Sequence, residues 1–193
     1  MHSDPHRRPQ NALRLCRRLP LQILLVPWLG LVVSACGDAI ETRGDEGVAA
    51  VVDGRGAIVR APADSEIAGV LLTVPPGVFE TPTRLILRPA SDDTALPARA
   101  HAVGPQVELV LDETHPAPIG TLSLTLPFDD STVESYGQDH RKVKVWRRVD
   151  AAWLLTEPVS TAPGRVTIET AEESPGTIYA AGVKDDPPIP AHP

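Results

Sequence analysis

Between residues 70 and 168, apolar and polar residues repeatedly alternate with a period of two. The clearest stretch is 122–126, in which Ser123 and Thr125 separate three leucines. Shorter stretches with the same alternation occur at 70–74, 85–87, 107–111, 143–145 and 166–168. Because successive side chains of a strand point to opposite faces, this period predicts strands with one buried face. No stretch after residue 47 has the sustained three- and four-residue apolar spacing of a helix.

Turn-forming sequences separate these predicted strands. Pro-Pro-Gly occupies 75–77, Gly-Pro occupies 104–105 and Pro-Gly occupies 163–164. Proline fixes φ and glycine supplies positive φ, so both residues favour turns. Short strands joined by such turns are typical of an antiparallel β-sandwich. We therefore predict an all-β fold in which residues 48–182 form one antiparallel β-sandwich domain.

An apolar run at 19–33 has no such alternation. Five arginines precede it, and Val33-Ser34-Ala35-Cys36 ends it. A basic start, an apolar run and small residues form a secretory signal, and the cysteine makes it resemble a bacterial lipoprotein signal. The resemblance implies that residues 1–35 are removed and that Cys36 is acylated. The run has 15 residues, whereas a membrane-spanning helix needs about 20. An ordinary signal peptide and an uncleaved anchor are the alternatives.

The segments next to the predicted domain are polar. Residues 36–47 are acidic and contain glycine, and we expect them to be a lipidated, flexible tether. Residues 183–193 contain four prolines and are expected to be a disordered tail. Asp directly after the lipidated cysteine tends to retain lipoproteins at the inner membrane. Here Gly37 follows Cys36, so we expect an outer-membrane location in the cell envelope.

Removal of residues 1–35 makes the chain more acidic. The mature chain has 13 Lys and Arg against 24 Asp and Glu, a net charge of −11. This charge argues against a nucleic-acid partner and against a polybasic membrane-docking patch. Cys16 leaves with the leader and Cys36 carries lipid, so no thiol remains for a disulfide, a metal or a nucleophile. The expected membrane contact is the lipid on Cys36.

The segment 69–87 contains the most specific sequence motif of the predicted domain. An apolar strand runs into Pro75-Pro76-Gly77, and Thr81-Pro82 precedes the next strand. This segment resembles the domain shared by zonula occludens proteins, netrin receptors and ankyrins. Gly104-Pro105, 107–109, 124–127, Val143-Lys144-Val145-Trp146, Trp153 and Tyr179 match later landmarks of that family in order. The likeness covers roughly residues 47–182 and implies a β-sandwich used for protein interaction.

Some relatives in that family cleave themselves at a His-Phe-Ser step. Here the comparable stretch is Glu172-Glu173-Ser174-Pro175, in which no histidine precedes Ser174. A serine without an adjacent base is a weak nucleophile, and Pro175 restrains the serine backbone. We therefore expect no self-cleavage.

Other catalytic and metal-binding signals are weak. His101, His115, His140 and His192 form no zinc motif, and no G-x-S-x-G sequence marks a catalytic serine. Acidic pairs recur in predicted turns without an EF-hand ladder. If calcium binds, Asp129, Asp130 and Asp139 are the expected ligands. The sequence predicts no enzyme, no resident metal and no cofactor.

One basic and aromatic cluster is the best candidate site. By alternation Trp146 lies on the polar face of its strand, where it can form a patch with Lys144, Arg148 and Arg141. Such a patch suits a glycan, an anionic polymer or a protein. The alternative is structural: Trp146 and Trp153 pack across a hairpin and are shielded by the arginine stems.

These observations favour a non-enzymatic envelope lipoprotein whose β-sandwich serves protein interaction or envelope structure. Glycan or peptidoglycan binding through the Trp146 patch is the main alternative. A hydrolase is a further one.

Overall fold

The computed structural model of the protein describes residues 40–44, 47–90, 95–111, 117–171 and 176–185, with side chains from residue 47 onward. All of these residues belong to one compact unit. The signal peptide, Cys36, His115, Ser174, His192 and the tail from residue 186 lie outside the described residues. None of the described helices is long and apolar enough to cross a membrane.

The described residues form two antiparallel sheets. The first has seven strands, which along the chain are β1 (Ile40–Gly44), β2 (Gly47–Val52), β5 (Thr83–Pro89), β6 (Ala100–Leu111), β8 (Lys144–Val149), β9 (Ala152–Thr156) and β12 (Thr177–Lys184). Their order across the sheet is β1-β2-β5-β6-β12-β8-β9. The second has five strands: β3 (Ala57–Arg60), β4 (Leu71–Val74), β7 (Leu122–Pro127), β10 (Ser160–Ala162) and β11 (Arg165–Thr170). Their order is β10-β11-β7-β4-β3.

The sheets pack face to face around one apolar core, as the alternation predicts. Leu122, Leu124 and Leu126 of β7 are fully buried, whereas Ser123 and Thr125 point outward. Thr125 Oγ1 lies 2.9 Å from Thr167 Oγ1 on the outer face. The prediction of an all-β sandwich is confirmed.

A buried hydrogen bond links the two sheets. Tyr179 of β12 is fully buried, and its hydroxyl lies 2.9 Å from the Thr170 hydroxyl of β11. Buried polar groups need such partners, because an unpaired hydroxyl in the core costs about 1–3 kcal/mol.

Two helical turns interrupt the sheets between β7 and β8. Helix α1 (Asp130–Ser135) begins after Asp129, whose carboxylate accepts the Ser131 N–H at 2.9 Å. A 3-10 turn (His140–Lys142) begins after Asp139, which accepts the Arg141 N–H at 2.8 Å. Alternation alone did not predict these turns, which are too short for an apolar helical period.

The domain is longer than predicted at both ends. Residues 40–44, which the sequence assigned to the tether, form β1 and make a hairpin with β2. In its register Gly44 lies opposite Gly47 and Ile40 lies opposite Val51. At the other end, Val183 is fully buried in β12, and Asp185 Oδ1 lies 3.0 Å from His101 Nε2. The sheet therefore includes residues that composition alone assigned to flexible segments.

Candidate functional site

The structure places three of the four predicted patch residues on one strand face. Lys144, Trp146 and Arg148 occupy alternate positions of β8. Their side chains point to the face opposite that of the buried Val145. They therefore share the face of the seven-stranded sheet that points away from the five-stranded sheet. Arg141 lies before the strand, in the 3-10 turn.

Trp146 lies on the strand face that the alternation predicts, but it is not exposed there. Only 7% of Trp146 is accessible. A Cβ built on Gly182 would lie 3.0 Å from Trp146 Cδ1 and 3.0 Å from Leu96 Cδ1, so both side chains contact this glycine. Leu96 precedes β6 in the sequence, and its side chain covers this part of the outer face. Trp146 is thus a packing residue on the outer face rather than an open aromatic platform.

Trp153 contacts the residue before Leu96. Its indole N–H donates to the Ala95 carbonyl over 3.2 Å. In the β8–β9 ladder, Trp153 stands opposite Arg148, and Leu155 stands opposite Trp146. The two tryptophans therefore lie on one face of the hairpin, as the structural alternative requires.

Carboxylates accompany two of the predicted cations. The Lys144 ammonium pairs with Glu157. Arg141 Nη2 lies 2.9 Å from Asp139 Oδ2, although 77% of the arginine side chain is exposed. Arg148 is half-buried on the outer face. Together with Trp146 burial, this arrangement leaves a less cationic and less aromatic patch than predicted.

The Arg141–Asp139 pair has a testable effect on the pKa of Asp139. Hydrogen bonds from the Arg141 side chain, and then from its backbone N–H, lower the pKa of Asp139 from 3.8 to about 2. Because the pKa of Asp139 is lower in the folded than in the unfolded protein, its ionised carboxylate stabilises the fold at pH values above 3.8. This contribution is lost as the pH falls from 3.8 through about 2. In Arg141→Ala, carboxyl NMR titration should show the Asp139 pKa rising toward 3.8.

The matched control is Arg55→Ala. Arg55 side-chain hydrogen bonds lower the pKa of Asp53 in a similar exposed turn. This variant should raise the pKa of Asp53 and leave that of Asp139 unchanged. An Asp139 pKa that stays near 2 in Arg141→Ala would show that the side chain is not the main cause.

Two of the three possible calcium ligands serve other roles in the structure. Asp129 accepts hydrogen bonds from Ser131 and Thr132 at the start of α1, and these lower its pKa. Asp139 is engaged with Arg141. Among the residues that the structure describes, no group of three or more His, Cys, Asp and Glu side chains could hold a metal ion.

Strand β9 is one of the strands that the alternation does not predict, and it is the one that bears on function. It is the last strand of the seven-stranded sheet, and no described strand pairs with its outer side. Leu154 is 46% exposed and Leu155 is 50% exposed, on opposite faces of the strand. We call Trp153, Leu154 and Leu155 the apolar edge. Alternation could not predict β9, because an edge strand with two exposed faces has no buried side.

No family model and no curated protein sequence matches the chain. An exposed edge strand offers a row of backbone N–H and C=O groups to an added strand. Exposed apolar side chains beside that row give the added strand a surface to bury.

Proposed function

We propose that the protein is a lipid-anchored envelope protein whose β-sandwich binds other proteins through the apolar edge. The observation that carries the proposal is the exposure of Leu154 and Leu155 on an outermost strand. A partner strand added to β9 would satisfy its outward backbone groups and cover both leucines. In this role the protein binds its partner and catalyses no reaction.

The anchor belongs to the same proposal. The sequence 33–36 supports acylation of Cys36, and Gly37 supports an outer-membrane location. Two or three acyl chains hold a protein firmly, since each buried CH₂ contributes about 0.8 kcal/mol. The net charge of −11 in the mature chain supports an anchor of lipid rather than of basic residues. Nucleic acid is not a proposed partner.

The family likeness also remains a proposal. Pro75-Pro76-Gly77 directly follows β4, and Gly104-Pro105 lies within β6. The second position is not the turn that the sequence predicted, because β6 continues through it. The first position is compatible with the strand–turn–strand order of the domain shared by zonula occludens proteins, netrin receptors and ankyrins. In that setting a protein-binding role is the natural expectation. The burial of Trp146 argues against the glycan alternative, because a sugar cannot stack on a covered ring.

Site-specific photo-crosslinking on intact cells tests the binding proposal. A benzophenone amino acid placed at Leu155 of the full chain should give discrete crosslinked adducts. The matched control is Ile58, which is 46% exposed on β3 at an edge of the other sheet. We expect adducts at Leu155, none at Ile58, and their loss when Leu154→Lys is combined with the Leu155 probe. Absent adducts at Leu155, or equal adducts at both positions, would contradict the proposal.

A further inference from the structure

The five residues of β9 are complementary to a second copy of themselves. If two β9 strands pair antiparallel with Leu154 opposite Leu154, Trp153 stands opposite Leu155 and Ala152 stands opposite Thr156. Residues directly opposite in such a pair lie on the same face and contact each other. Each of these pairs has at least one apolar member, and no like charges stand opposite. The register buries all three residues of the apolar edge.

Strand β9 lacks the features that usually prevent an edge strand from pairing with another chain. Edge strands are protected by charged side chains, prolines or short length. Ala152–Thr156 contains no charged residue and no proline, and Pro158 comes only after it. By contrast, β10 has three residues, and β3 carries Arg60. Of the edge strands with described side chains, β9 is the one best suited to accept a neighbour.

Charge also favours this edge for contact between two copies. The mature chain carries a net charge of −11, so two copies repel each other on average. No residue of β9 is charged, and the adjacent β8 carries Lys144, Arg147 and Arg148. Across the paired edges the two β8 strands would be about 14 Å apart, three strand spacings. This exceeds the screening length of about 8–10 Å, so the repulsion between their arginines is weak.

We infer that the apolar edge binds the same edge of a second copy, so that two seven-stranded sheets join through β9. The inference rests on the proposed function, because a single strand pair buries less than the roughly 1,200 Å² of stable interfaces. Lipid anchoring confines the copies to one surface and raises their effective concentration. Strands β1 and β9 are opposite edges of the sheet, so the anchored end does not occupy the binding edge.

Single-cysteine crosslinking tests the register. Leu154→Cys would place two thiols at directly opposite positions, whose Cα atoms are about 4.5–5.5 Å apart. That separation permits a disulfide. Leu155→Cys would place them diagonally, about 7–8 Å apart, too far for a disulfide. The two side chains are equally exposed, at 46% and 50%. With acylated Cys36 the introduced cysteine is the only free thiol of the mature chain.

The experiment oxidises native membranes containing each full-length variant and separates the products without reductant. We expect at least about tenfold more covalent dimer from Leu154→Cys than from Leu155→Cys, and none from the parent chain. Co-expressed Ala152→Cys and Thr156→Cys chains should also crosslink to each other, which provides a second pair in the same register. Equal dimer from Leu154→Cys and Leu155→Cys would indicate random collision and overturn the inference.

Failure of the inference differs from failure of the proposed function. No dimer from either cysteine, with photo-adducts to another protein at Leu155, would reject a second copy and retain a protein-binding edge. No dimer and no photo-adduct would reject both. Incorporation of labelled palmitate, measured in the same cells, reports the anchor independently of either edge contact.

Discussion

Leu124→Ala should lower the free energy of unfolding by about 2–5 kcal/mol, the usual loss for truncating a buried leucine. Leu124 is fully buried in β7, the middle strand of the five-stranded sheet. It stands between Ile168 of β11 and Leu72 of β4 in the two ladders. Both neighbours are also fully buried, so the surrounding core cannot easily fill the cavity. Urea unfolding of the purified protein measures the change.

Ser123→Ala is the matched control on the same strand. Ser123 points to the outer face, and its removal should change the free energy of unfolding by less than about 0.5 kcal/mol. Thr125 is a poorer control because its hydroxyl contacts that of Thr167. Equal urea midpoints for Leu124→Ala and Ser123→Ala would mean that the strand register is wrong, since a one-residue slip exchanges the two faces.

Cys36→Ala should abolish lipidation and leave an unprocessed precursor. The physical reason is that alanine offers no sulfur for the acyl thioether on which lipoprotein processing depends. The sequence 33–36 motivates the prediction. Labelled palmitate and gel mobility in the producing bacterium measure the two effects, and density-gradient fractionation of the parent protein should place it with outer-membrane markers.

Cys16→Ala provides the control for that variant. It removes the other cysteine of the chain, which lies upstream of the apolar run. This variant should incorporate palmitate and be processed as the parent is. Label that persists in Cys36→Ala would disprove acylation at this position, and parent protein found with inner-membrane markers would disprove the proposed sorting.

Alternation predicted several strands that have one face in the core and one in solvent, but not β2 and β3, whose outward positions carry apolar residues such as Val51 and Ile58. Strand β7 is one of the predicted strands, and its three leucines follow the period without exception. Strand β12 is not, because every residue from Thr177 to Val183 is buried and both faces are covered. Its pattern therefore contains no period of two. Strand β9 has exposed side chains on both faces. It also lacks the alternation of apolar and polar residues, because neither of its faces is buried in the core.

The sequence predicted the direction in which the side chains of the candidate site point, but not whether they are exposed. Period two correctly placed Trp146 on the face opposite Val145. Whether that face is open depends on Leu96, which lies 50 positions earlier in the sequence and contacts Gly182 beside Trp146. Local sequence pattern contains no information about such a distant covering residue. The apolar edge likewise became recognisable only when the strand order placed β9 outermost.

The early start of β1 sets how far from the lipid surface the protein can work. Ile40 follows Cys36 by four residues, and a fully extended chain of that length reaches about 14 Å. Six strand spacings separate β1 from β9, about 29 Å at the usual interval. With Cys36 acylated as proposed, the tether and the width of the sheet together give β9 a reach of about 43 Å above the membrane, without counting displacement along the strands. In that proposed arrangement, a partner would have to come close to the membrane surface, because only a short segment links Cys36 to β1.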